Sequence, residues 1–279
     1  MKISLIQVPW DSGYLKERMG AGPAHLIEQG LIDHLRKNAE VIELSSITIE
    51  SAFTLEIGTT KTINTLLAEK VRQAKDRNMF PVILAGNCNS SIGTTAGLQE
   101  NNLGVIWFDA HADYNTPETS VSGFFDGMSL SVLAGKCWKD FAKSVPGFKP
   151  VDEKRIVLAA ARDLDGKEAV LLKSSSITYL NVKKIREENF LSILPDSLKK
   201  GDNIYLHIDL DVFDTSELIV NKYSAAGGLF VEEFLEIIKK IKDKLNIVAL
   251  AFTAYDPLFD KQNAAYNIVC KIIDTVITG

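Results

Sequence analysis

The run GVIWFDAHAD at residues 104–113 carries an apolar stretch straight into Asp109, His111 and Asp113. Two carboxylates and an imidazole at i, i+2 and i+4 can converge where a strand becomes a loop, and hard oxygen ligands with an imidazole suit a divalent ion such as manganese. A second run, NIYLHIDLDVFD at 203–214, ends another apolar stretch in Asp209, Asp211 and Asp214. The period-2 spacing of a strand puts Asp209 and Asp211 on one side, with Leu210 and Val212 facing the other way. Alone, a DxD pair at a strand end serves as well to cap the following turn. Five such groups on two strands of one sheet repel one another unless a cation or a proton neutralises them, and together they favour a metal site.

These side chains need elements that bring them together, and the chain supplies them. Eight short β-branched or apolar runs recur at residues 2–7, 40–45, 81–85, 104–109, 155–161, 177–181, 203–209 and 247–253. Helical stretches lie between them; residues 23–37, 61–78 and 230–243 read as helices from a proline suited to the first turn and from apolar spacing. Strand alternating with helix implies right-handed crossovers and an α/β fold with a parallel sheet covered on both faces. Residues 114–128 (YNTPETSVSGFFDGM) are rich in turn formers and read as a loop over the C-terminal edge of the sheet, where open α/β folds place ligands.

A chain of 279 residues, 46% of them apolar, buries a large core and reads as one domain over 1–279. The net charge of -5 gives no attraction to a phosphate backbone or an anionic leaflet, so nucleic acid and membrane are not expected partners. The start of the chain lacks the length and flanks of a signal peptide, and no apolar run approaches the ~18 residues of a membrane span. Three cysteines without a CxxC pair (Cys88, Cys137 and Cys270) point to reduced thiols and a cytoplasmic protein. His25 and His34 fall on the first predicted helix as surface or packing residues, and we read His207 as strand packing.

DAHAD followed by NTPETSVSG, and then DLDVFD, resembles the arginase-type ureohydrolases, with lesser similarity in GAGPAHLIEQGLIDHL and in RDLD at 162–165. The resemblance runs nearly the whole length of the chain. It implies a three-layer α/β/α sandwich with an eight-stranded parallel sheet, and two manganese ions at which water attacks a guanidinium carbon to give urea and an amine. It places Asp109, His111, Asp209 and Asp211 around one ion, and Asp109, Asp113, Asp209 and a residue from the third strand's loop around the other. It also implies a homo-oligomer, and contacts from Asn115, Ser122 and Asp165 to the α-amino and α-carboxylate end of an amino-acid-like substrate.

Three positions depart from the family pattern. Cys88, in AGNCNS at 85–90, stands where the family has a ligand histidine. A thiolate there shifts preference from manganese toward zinc or iron; the other reading is a small buried cysteine at a strand end. Asp126, in FFDGM, replaces a proton-shuttling histidine and is either a base or a turn-forming aspartate before Gly127. Ala254, in AYDP, replaces the glutamate that holds the guanidinium through bidentate hydrogen bonds. The expectation is a metal-dependent hydrolase of a C–N bond in a guanidino, amidino or related amino-acid-derived substrate, not an efficient arginase, holding one or two divalent ions. The alternative is a non-catalytic or regulatory relative that binds an amino acid and at most one metal.

Overall fold

The inner apolar runs fold as strands because their β-branched and aromatic residues are buried on both faces, as a covered parallel sheet requires, whereas the edge run Val41–Ser46 has no buried residue. The structure is a computed structural model that describes residues 1–49 and 56–278. Its strands are β1 (Lys2–Val8), β2 (Trp10–Asp11), β3 (Tyr14–Leu15), β4 (Val41–Ser46), β5 (Phe80–Ala85), β6 (Gly104–Phe108), β7 (Ile156–Ala159), β8 (Thr178–Leu180), β9 (Asn203–Asp209) and β10 (Asn246–Thr253). The two-residue strands β2 and β3 pair only with each other; the other eight form one parallel sheet in the order β4-β1-β5-β10-β9-β6-β7-β8. Each of the eight runs read from the sequence is a strand of this sheet.

The helices α1 (Gly22–Glu28), α2 (Leu31–Leu35), α3 (Glu56–Asp76), α4 (Ser90–Leu98), α5 (Ser129–Leu133), α6 (Lys139–Lys143), α7 (Gly166–Ser174), α8 (Val182–Glu187), α9 (Val231–Lys244) and α10 (Ala264–Ile277) surround it. Strand residues alternate between two cores. Leu206 and Ile208 of β9 join Phe234 of α9 and Ile272 of α10 on one face, whereas Tyr205 joins Leu67 of α3 and Leu98 of α4 on the other. The helix expected over 23–37 is two helices, because Gly30 takes φ 98°, a left-handed conformation that ends α1. The helix expected from 61 starts at Glu56. Among the described residues no helix is long and apolar enough to cross a membrane.

Four neighbours at the centre of the sheet, β5, β10, β9 and β6, deliver their C-terminal ends side by side. Those ends lead into Asn87–Asn89, Ala254, Asp209–Asp211 and Asp109–Asp113, so the chemistry-bearing segments are brought together by strand order rather than by proximity in the chain.

Candidate metal centre and ligand pocket

Asp109 leaves the end of β6 at 1% exposure, and its carboxylate is held from two directions. Oδ2 accepts from Trp107 Nε1 at 3.0 Å, and Oδ1 accepts from the His111 backbone N–H at 2.7 Å. The His111 ring comes back over the same group, with Nδ1 3.3 Å from Asp109 Oδ1 and 3.3 Å from Asp211 Oδ2. Asp209 ends β9; its Oδ1 accepts from the Asp211 N–H at 2.9 Å while its Oδ2 accepts from the Cys88 thiol at 3.2 Å. Asp211 follows in a 3-10 turn and accepts from the Ala110 N–H at 3.1 Å, which ties the two motifs to each other.

Two trios of side chains share Asp109: Asp109, His111 and Asp211, and Cys88, Asp109 and Asp113. Within each, potential ligand atoms lie no more than 4.8 Å apart. Asp113, at φ 49°, turns its carboxylate inward, and its Oδ2 is buried without a hydrogen-bond partner. A buried polar atom left unpaired costs free energy, so this oxygen is positioned for a cation. Asp214 lies apart from the cluster, accepting from the N–H groups of Ser216, Gly227 and Gly228 as a loop brace.

The electrostatics carry the same mark. Burial first, and then the neighbouring carboxylates, raise Asp113 and Asp209 well above the usual carboxylate range and raise Asp109 as well. For Asp211 burial acts in the same direction but the His111 ring outweighs it, bringing the group to about 2. Burial likewise opposes charge on His111, and Asp211 and Asp109 override it and push the imidazole up. Burial pushes the Cys88 thiol well up, with Asp209 adding to it. Crowded carboxylates that resist shared ionisation form a site that a divalent ion relieves.

Above this cluster opens a pocket of about 250 Å³ that brings together Cys88, His111, Asp113, Asp209 and Asp211 with Asn115, Ser122, Asp126, Asp165 and Ala254. Among the described residues, no lysine or arginine lines it. Asn115 Nδ2 donates to Asp165 Oδ2 at 3.0 Å, and Ser122 Oγ accepts from the Phe124 N–H at 3.1 Å on the exposed rim. Asp126 is 5% exposed, with both oxygens engaged: Oδ2 accepts from Asn87 Nδ2 and the Cys88 N–H, and Oδ1 from the Asn89 N–H and Ser129 Oγ. Burial nonetheless lifts it to about 7.

Sequence reading did not single out Glu168 or Asn221, both of which line the pocket. Glu168 on α7 accepts from the N–H groups of Tyr114 and Asp165, and burial lifts it to about 7. The DxxE spacing from Asp165, a capping box, was the signal available for it. Asn221 spans Asp211 Oδ2 and the Ala254 carbonyl with its amide, and nothing in its loop announces that. His207 packs within its strand as expected, yet it also joins Tyr205 to Thr253 by hydrogen bonds, and burial holds it well below its ordinary pKa.

A model of the arginase family matches residues 1–279. The arginase of Bacillus subtilis (strain 168) is 28% identical over 288 residues, which cover 99% of this chain and 97% of that protein. The arginase of Bacillus caldovelox is 28% identical over 291 residues, 98% of this chain and 97% of its own length. A crystal structure of arginase from Bacillus subtilis superposes with a TM-score of 0.87 at 26% identity, over 100% of this chain and 99% of that one.

Proposed function

The chain belongs to the arginase family along its whole length, and we propose that it is a divalent-metal-dependent hydrolase of a C–N bond in a guanidino, amidino or related amino-acid-derived substrate. The observation that carries this is the buried carboxylate cluster with its unpartnered Asp113 Oδ2, an arrangement whose repulsion a cation offsets. The donor set fits: Asp109, His111, Asp209 and Asp211 would hold one ion, and Asp109, Asp113, Asp209 and Cys88 a second. Divalent ions there supply Lewis acidity, making a water more acidic and offsetting the charge that develops at the carbon under attack.

The chain's own residues do the rest. Asn115 and Asp165, bonded to each other, and Ser122, on the same pocket wall, match an amino acid's charged α-carbon end. Asp126, its oxygens bound to the turn that bears Cys88, anchors that turn in this reading rather than carrying a proton to the leaving amine. The oxygen-rich donors favour manganese, the three buried free cysteines fit a reducing cytoplasm, and the family relationship supports a homo-oligomer.

Loading the protein with manganese and screening arginine, agmatine, guanidinobutyrate and formiminoglutamate for release of a nitrogenous product tests the proposal. Turnover that vanishes in Asp109→Ala supports it, and product never exceeding that control for any compound overturns it. One observation favours a second reading, a relative that binds an amino acid without hydrolysing it. Ala254 leaves the pocket wall without the carboxylate that would pair with a planar cation. Amino acids that raise the unfolding midpoint of a protein without turnover would select that reading.

A further inference from the structure

Behind Cys88 runs a buried hydrogen-bond chain for which the proposed hydrolysis has no use. Tyr205, His207 and Asp209 follow one another down one face of β9, and Thr253 ends the neighbouring β10 in register with Asp209. None of these residues, nor Cys88, is more than 4% exposed. His207 Nδ1 lies 2.8 Å from the Tyr205 hydroxyl and its Nε2 3.3 Å from Thr253 Oγ1. Thr253 Oγ1 in turn lies 3.1 Å from Cys88 Sγ, which is 3.2 Å from Asp209 Oδ2.

The carboxylate end fixes the direction of the whole chain. The Cys88 thiol donates to Asp209 Oδ2, which leaves the sulfur to accept the Thr253 hydroxyl proton. Thr253 oxygen then accepts from Nε2–H of a neutral His207, whose Nδ1 accepts from Tyr205. Hydrogen bonds running one way polarise one another, and this one ends with a donor aimed at sulfur. The His207 ring is itself stacked on Trp107, at 3.5 Å between centroids and 12° between planes, and Trp107 is the residue that donates to Asp109. One array thus fixes Cys88 and Asp109, two members of the trio that includes the unpartnered Asp113 oxygen.

We propose that Thr253 and His207 are positioning residues that hold the Cys88 sulfur as a metal ligand, so that the two ion positions are chemically unequal. The Cys88–Asp109–Asp113 position takes a thiophilic ion such as zinc, iron or cobalt, while the Asp109–His111–Asp211 position, with oxygen and imidazole donors, suits manganese. Ion binding would displace the thiol proton from the Asp209 hydrogen bond to solvent; Thr253 then supplies the hydrogen bond that the ligating sulfur accepts, and His207 supplies the one that turns the Thr253 hydroxyl toward it. The inference rests on the reading that the chain binds divalent ions.

The test titrates the metal-stripped full-length chain with cobalt(II) and with manganese, following near-ultraviolet absorption and ions bound per chain. Expected is a sulfur-to-cobalt charge-transfer band that Cys88→Ser abolishes, with cobalt displacing manganese from one position only. Thr253→Val and His207→Phe are expected to weaken cobalt at that position about 10- to 100-fold while sparing manganese at the other, and Thr253→Ser to restore it. Combining the two changes should cost no more than the larger alone, since they break one chain. Thr253→Ala takes the valine variant's place if that one fails to fold. Ions bound with no sulfur band overturn the ligand role of Cys88 and leave the metal-dependent hydrolase reading standing. A band with unchanged cobalt affinity in both variants overturns the positioning role. A natural chain that takes up no ion overturns the metal reading, and this inference with it.

Discussion

Glu168 shows what burial does to a single carboxyl group. Its ordinary value is 4.5, and 3% exposure inside the pocket wall lifts it to about 7 in spite of two backbone N–H donors. A folded-state pKa above the unfolded one means that the native protein holds the proton more tightly. The stability this gives is fully present below about pH 4.5 and is lost as pH rises through 7, by up to about 3 kcal/mol. Glu168→Gln should flatten the fall in urea-unfolding stability of the ion-free protein between pH 5 and 8, and a slope identical to the natural chain would refute it. Ala254 gives a second prediction. It already occupies the left-handed region at φ 62°, so Ala254→Glu adds little backbone strain and returns a carboxylate to the pocket. At least about a 10-fold gain in kcat/KM for arginine is expected, as one charge-assisted hydrogen bond contributes ~1.5 kcal/mol or more. The motif aspartates and His111 were legible because they follow directly on two apolar runs, although strand parity reaches only Asp209: Asp211 sits in a 3-10 turn, and Asp109, His111 and Asp113 lie past the end of β6. Asn221 and the His207 chain were not, because their partners come from elements distant in sequence and depth leaves no periodic trace.

At the level of elements, apolar runs declared the inner strands, since a strand buried on both faces must be apolar throughout, and the unburied edge strand β4 was declared by its Val41–Ile42 start. The first helix was misread because apolar spacing continues across Gly30, and only the backbone conformation there shows the break. The close approach that seats the metal-side turn was equally hidden. A Cβ on Gly86, just past β5, would fall 2.3 Å from the Trp10 carbonyl oxygen and 2.8 Å from the Gly20 nitrogen, both main-chain atoms with little room to move. Gly86→Ala must therefore part the end of β5 from the segment after β1 and shift the Asn87–Asn89 turn. A loss of about 1–3 kcal/mol in unfolding free energy is expected, with weakened ion uptake. Gly166→Ala, where a Cβ meets nothing within 4 Å, should leave both nearly unchanged. Equal effects in the two variants, compared by denaturant midpoint, would show that the Gly86 contact is not the constraint.

Across the whole molecule, one eight-stranded sheet joins every long strand, and we propose that residues 1–279 unfold as one domain. The molecule then carries its electrostatic cost at the place where four central strands end, because Asp109, Asp113 and Asp209 are each raised by burial among their neighbours. An ion that binds the folded chain offsets this cost and stabilises by mass action, about 2.7 kcal/mol at a hundredfold excess over Kd. For a chain of 279 residues that is a rise of roughly 4–5 °C in Tm. Binding needs these carboxyl groups deprotonated, so lowering the pH makes the ion compete with protons for them. The Tm gained on adding manganese should therefore be larger at pH 8 than at pH 6, and chelator should reverse it at both. Scanning calorimetry across that pH range decides the matter: one transition with a pH-dependent gain ties the carboxylate cluster to the stability of the whole sheet. A gain independent of pH would place the stabilising ion elsewhere on the molecule, and two transitions would divide the chain.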